Sequence, residues 1–197
     1  MKTITICGNM RSEVQRGLQR GTVALQPHCA QWEQAAKETI ELLRSVLKDG
    51  AVDIQHVGST AIRGIHAKPI IDIAVGMKDF ETVTDHIPAL EQVGIHYRKQ
   101  DVQGQHLFVM GEGDTRTHHI HFVEWNDAAW NNYINFRDYL NHFPKKAAVY
   151  DALKRQLAEE FQNDRGSYTA GKHGLIDQFL QEARLWKVSM QKLISRP

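Results

Sequence analysis

Residues 55–77, QHVGSTAIRGIHAKPIIDIAVGM, read as a strand, a glycine-serine turn, a short connection and a second strand that carries one acid. The acid is Asp72, set between Ile71 and Ile73. A carboxylate on a buried apolar strand needs a metal, a cation or several hydrogen-bond donors beside it. Ahead of it, Gly58 permits close approach to the backbone, and the Ser59 hydroxyl at a helix start leaves free N–H groups that can face a phosphate. An anion cradle and an acid are thus expected on neighbouring elements. The expected geometry is a pair of adjacent strands at 52–57 and 69–75, joined through a short helix that Ser59 caps, with Asp72 directed into a cleft.

Upstream, Trp32, Ala36, Ile40, Leu43 and Leu47 recur at helical spacing across 29–48, and Asp49-Gly50 is a stop signal. A short strand is expected near 22–25, before Pro27. Residues 1–21, with Arg11, Arg16 and Arg20 among scattered apolar positions, are expected to form an N-terminal arm. Downstream, a helix is expected over 79–92, stopped near Gly94, then strands at 94–98, 105–110 and 117–124 around the turn GEGD at 111–114. Helices over 127–142, 145–161 and 167–187 close the chain. This order predicts an α+β fold, with a mixed sheet and helices over 22–126 and a helical region over 127–197 packed on that core. Pockets form where such layers meet.

Four stretches carry a resemblance: HVGSTAIRGIHAKPIIDIAV, then RTHHIHFVEW at 116–125, FRDYL at 136–140 and YTAGKHGLI at 168–176. Together they resemble the GrpB family of the nucleotidyltransferase superfamily. The resemblance implies a nucleotidyltransferase-like fold with its cleft between the two halves. It also implies a small-molecule nucleotide as partner, with a nucleoside triphosphate as substrate and a divalent cation (Mg, Mn or Zn) on the phosphates. Asp72 falls at the catalytic acid, Gly58 and Ser59 at the phosphate-binding turn, and Tyr168 and Lys172 at an aromatic and a lysine that hold base and phosphate. Tyr168 and Lys172 are four apart, which also puts them on one helical face. Lys68 and Arg137 are further candidates for phosphate contact, set against a solvated loop lysine and a surface ion pair. The chain departs from the family pattern at Ala74, where the second acid of the pair would stand, at Gln55, where an acid is frequent, and at Arg63, where proline is frequent.

A second constellation is RTHHIHFVE at 116–124. On a strand, His119, His121 and Val123 share one face, while His118, Ile120, Phe122 and Glu124 share the other. A His-x-His pair chelates a transition metal through its imidazoles, and one carboxylate completes a three-ligand site. Asp72 is the candidate third ligand, and His56, just before the glycine-serine turn, is a candidate for the pocket rim. Against this stands chance clustering, since the chain holds 11 histidines.

Composition sets the outer bounds. With 197 residues and 42% hydrophobic content, the chain can bury one good core. Lys plus Arg number 24 against 23 Asp plus Glu, so no global field draws nucleic acid or an anionic membrane, and phosphate recognition must be local. Cys7 and Cys29 lack metal-ligand spacing, the N-terminus lacks the apolar core of a signal peptide, and no run reaches the ~20 apolar residues of a membrane span. A cytoplasmic location is expected. There is no Gly-x-x-x-x-Gly-Lys-Ser/Thr loop, so P-loop kinase chemistry is not expected. The expected function is a metal-dependent nucleotidyltransferase or nucleotide-binding protein. The alternatives are a catalytically inactive anion-binding protein and a His/Asp metal-dependent phosphoester hydrolase.

Overall fold

The computed structural model describes residues 17–194, so most of the expected N-terminal arm, with Cys7, lies outside the described residues. In chain order the elements are β1 (Leu18–Gln19), α1 (Ala30–Leu47), β2 (Ala51–Val57), β3 (Ile71–Met77) and α2 (Ile87–Gln92). These are followed by β4 (His96–Val102), β5 (Gln105–Met110), β6 (Thr115–Arg116) and β7 (His118–Glu124). Helices α3 (Ala128–His142), α4 (Pro144–Glu160), α5 (Arg165–Ala170) and α6 (His173–Ile194) complete the chain. No described helix is long and apolar enough to cross a membrane.

Five strands form one mixed sheet in the order β2-β3-β7-β5-β4. β3 and β7 are parallel and the other neighbours antiparallel. A parallel pair needs a long crossover, and here α2 and the β4-β5 hairpin supply it. The central strand β3 is covered on both faces, which is why it reads as a nearly continuous apolar run instead of an alternating one. On one face, Ile71, Ile73, Val75 and Met77 pack with Ile120, Phe122 and Phe108 against Trp32, Ala36, Leu43 and Leu47 of α1. On the other, Val57, Ala74 and Val123 meet Trp130 of α3. The loop after β2 then sends Ile62 and Ile65 into a second core with Tyr139, Tyr150, Phe179 and Ala183.

Several boundaries differ from the periodicity. The stretch expected as a strand at 22–25 is irregular: Thr22 N–H turns back to the Gln19 carbonyl and Val23 N–H pairs with Gln162. The helix expected over 79–92 is a 3-10 helix over Phe80–His86, capped by the Asp79 side chain, and then α2. Pro88 sits at the start of α2, where its missing N–H is harmless but would break a continuous ladder. The helix expected over 167–187 is split in two, with Gly171 and Lys172 between α5 and α6. A Cβ at Gly171 would lie 2.6 Å from Leu157, so the absence of a side chain lets this corner sit against α4.

Candidate functional site

Register decides what shares a face. Asp72 is paired directly with His119, and Ala74 with His121. The carboxylate and both imidazoles therefore project to the same side of the sheet. Asp72 Oδ1 lies 3.3 Å from His119 Nδ1 and 3.4 Å from His121 Nε2. Burial opposes ionisation of Asp72, but hydrogen bonds from the two histidines outweigh it and hold the carboxyl well below the usual carboxylate range.

Gly58 serves the acid. It directly follows β2 with φ 69° and ψ −169°, and an added Cβ would fall 2.4 Å from Asp72 Oδ2. Ser59 does not cap, contrary to expectation: Gly58 occupies the cap position of the 3-10 turn Ser59–Ala61, and no side-chain cap bond forms. Burial pushes the Tyr150 phenol up to about 12, with the Ser59 hydroxyl opposing the shift.

A cavity of about 250 Å³ opens above this acid, between the sheet and the start of the C-terminal helices. Ser59, Asp72, His119, Tyr168 and Thr169 line it, together with three cationic side chains, Lys68, Arg165 and Lys172. Lys68 Nζ lies 5.1 Å and Lys172 Nζ 4.4 Å from the centre of the Tyr168 ring, so one buried aromatic ring contacts both ammonium groups. Because a helix break separates Tyr168 from Lys172, this contact comes from the turn at 171–172 and not from a shared helical face. Burial, followed by the charges of Arg165 and Lys172, pushes the Lys68 ammonium down to about 7, with Asp72 opposing. Lys172 is lowered to about 8 by burial, with Asp72 opposing and Arg165 contributing.

A second polar layer lies beneath. Asp151 on α4 accepts from the His66 N–H at 2.6 Å and faces His66 Nδ1 at 3.1 Å. Lys154, 1% exposed, donates to the His66 carbonyl. Its Nζ stands 4.8 Å from the Tyr150 ring centre. Burial lowers Lys154 to about 7, with Asp151 opposing and Lys172 adding to the shift. This layer pins the loop that delivers Lys68. Neither Arg165 nor Lys154 was among the expected site residues. Arg165 sits three before Tyr168, a helical spacing that ties it to a residue of the expected site. Lys154 carries no such signal in the sequence.

Two candidates lie elsewhere. His56 pairs with Ile73, the neighbour of Asp72, so its side chain points to the opposite face of the sheet and reaches Thr60 Oγ1 at 2.9 Å. Burial, with a smaller part from Arg137, lowers the His56 imidazole to about 4. Arg137 is committed to the Gln55 side chain, the His56 carbonyl and Asp138. Both residues line a separate cavity with Arg63 and Asn141, so neither joins the Asp72 site.

The metal expectation can be tested against these donors. Among the described residues Asp72 is the only carboxylate lining the cavity, and one of its oxygens receives both imidazoles. Among the described residues, no three His, Cys, Asp or Glu side chains are arranged to hold a metal ion. The arrangement fits a carboxylate held between two imidazoles and crowded by cations, and it does not fit a three-ligand cage.

Nor can the missing acid simply be restored. Ala74 is fully buried beside Val57, Val123 and Trp130. Ala74→Asp is therefore expected to lower unfolding stability by about 2–3 kcal/mol in a urea titration. A stability equal to the wild type would show that this position opens to solvent or to the cavity.

The GrpB protein family model matches residues 22–182. The chain is 39% identical over 173 residues to the glutamate-rich protein GrpB of Alkalihalophilus pseudofirmus, covering 84% of this chain and 98% of that protein. Among solved structures, the conserved protein GrpB from Enterococcus faecalis aligns with a TM-score of 0.77 at 28% identity, over 83% of this chain and 99% of that one. Cid1 in complex with its short product ApU aligns with a TM-score of 0.50 at 13% identity, over 74% of this chain and 48% of that one. At that identity the likeness bears on fold alone, and the fold is nucleotidyltransferase-like.

Proposed function

This chain belongs to the GrpB family, and on that premise we propose that it binds a nucleotide, holding the phosphate end in the cavity above Asp72. The observation that carries this reading is the gathering of Lys68, Arg165 and Lys172 around a cavity with one acid. Cations packed this closely repel one another, and an anion between them relieves that repulsion. A guanidinium grips phosphate oxygens in bidentate fashion, whereas the two ammonium groups act as point charges. The volume, about 250 Å³, is below the ~300–1,000 Å³ of pockets that enclose a drug-sized ligand, which suits a phosphate chain with the nucleoside extending outward. Transfer through two metal-bound carboxylates is not what these residues favour, since Ala74 and Gln55 supply no acid.

Calorimetric titration with ATP and with inorganic pyrophosphate, in buffer containing EDTA, tests the reading. Saturable binding of both is expected. Arg165→Met or Lys172→Met should each weaken it by about 10- to 100-fold, the value of one charge-assisted contact. Binding that is absent in the wild type, or unchanged in both variants, would refute it.

A further inference from the structure

We propose that His119 is the general base of this cavity, with Asp72 orienting its ring and Arg165 covering its lone pair until a phosphate draws the guanidinium away. The proposal rests on the phosphate reading above for the last of these steps, but the orientation of the ring stands without it. Arg165 Nη2 lies 3.3 Å from His119 Nε2. A guanidinium has donors and no acceptor, so Nε2 must be the bare, accepting nitrogen and the ring proton must sit on Nδ1. Nδ1 is the nitrogen that faces Asp72 Oδ1. An acid fixing the tautomer of an imidazole, whose other nitrogen faces a cavity, is the arrangement that makes histidine a proton acceptor.

The two histidines are not equivalent. His121 turns its Nε2 to Asp72, and its Nδ1 is buried with no hydrogen-bond partner among the described residues, the ring centre lying 5.0 Å from that of Tyr133. His119 lines the cavity and His121 does not. His121 therefore steadies the carboxylate, while His119 alone can meet a reacting group.

Arg165 is the variable part. Its single bond to the neutral His119 imidazole is weaker than a bidentate bond to phosphate, because the latter is charge-assisted at both ends. A phosphate chain held by Lys68 and Lys172 would thus pull the guanidinium off Nε2 at the moment a base is needed. In the step that follows, an acceptor hydroxyl or water oxygen forms a bond to phosphorus. The P–O bond of the phosphoanhydride breaks, the leaving phosphate departs with the electron pair, and the attacking group's proton passes to His119 Nε2. Asp72 balances the imidazolium, and the lysines balance the departing phosphate.

Two-bond nitrogen–proton NMR spectra, which distinguish protonated from bare ring nitrogens, test this directly. The free protein should show His119 with its proton on Nδ1. Saturating inorganic pyrophosphate should shift Nε2, and Arg165→Met should reproduce that shift without pyrophosphate. A proton on Nε2, or an Nε2 signal unmoved by Arg165→Met, would overturn the assignment. Failure of pyrophosphate to bind would remove the phosphate reading yet leave the tautomer and the Arg165→Met shift to decide the rest. With ATP and water as reactants, His119→Gln should lower hydrolysis by about 100-fold or more. A wild-type rate no higher than that of His119→Gln would overturn the catalytic role.

Discussion

Gly58→Ala should lower unfolding stability by about 4 kcal/mol and abolish pyrophosphate binding at the same time. The backbone at Gly58, φ 69° and ψ −169°, lies in a region that side-chain-bearing residues essentially never occupy, which alone costs about 1–3 kcal/mol. The larger conflict is local. An added Cβ would sit 2.4 Å from Asp72 Oδ2 and 2.8 Å from Asp72 Cβ, and the latter is fixed by the strand and cannot rotate away. Relief requires β2 and β3 to move apart or Asp72 to leave His119 and His121, and losing charged hydrogen bonds costs about 1.5–3 kcal/mol more. Chemical denaturation with calorimetry on the same sample would measure both effects. A Gly58→Ala protein that melts like the wild type and binds pyrophosphate normally would show that the turn is not held against the acid.

That coupling also explains what was legible in the sequence. The Gly-Ser turn, the acid on β3 and the His-x-His strand follow from alternation and turn chemistry, which are local rules, and register then places Asp72 against His119. The role of Gly58 was visible only in kind. A glycine signals close approach, but sequence does not say that the approaching group is the chain's own carboxylate. His56 was misplaced because the end of a strand gives no hint of which face the next turn will use; one position of alternation sent it to the α1 side, opposite Asp72. Arg137 follows the ion-pair alternative and not phosphate contact. Its helix does reach the sheet, but Gln55 and Asp138 take up its donors first. Arg165 went unnoticed because its function depends on the Asp164 cap, which accepts from Ser167 N–H and starts α5 close to the cavity. The buried pair Asp151 and Lys154 shows the limit of composition. No pattern or spacing marks either one, because their burial depends on the loop at 62–68, whose His66 backbone both of them bind.

Raising the pH should stabilise the empty protein between about pH 7 and 10, the reverse of what a protein held together by charged lysines would do. Lys68 and Lys154 are lowered to about 7 and Lys172 to about 8 by burial and neighbouring cations, whereas in the unfolded chain each titrates near 10.4. Below pH 7 the folded and unfolded lysines are all charged, and the fold bears the full cost of burying those charges. Above it the folded lysines release protons that the unfolded chain still binds, so stability rises with pH until the unfolded lysines titrate as well. For Lys154, which is 1% exposed, the rise is roughly 4–5 kcal/mol. The upper edge is set by tyrosines. Burial pushes Tyr150 up to about 12, so above pH ~10 the unfolded phenol ionises first and the gain reverses. Saturating pyrophosphate should flatten the part of the slope due to Lys68 and Lys172, because an anion between them restores their charge. Lys154→Met should remove the part that remains, since Lys154 lies behind the cavity wall and no ligand reaches it. Melting temperatures recorded across this range, with and without pyrophosphate, separate the two contributions. A melting temperature that falls steadily from pH 7 to 9 in the free protein would mean that these ammonium groups are stabilised where they stand, and the cavity would then lack the unrelieved positive charge on which phosphate recognition depends.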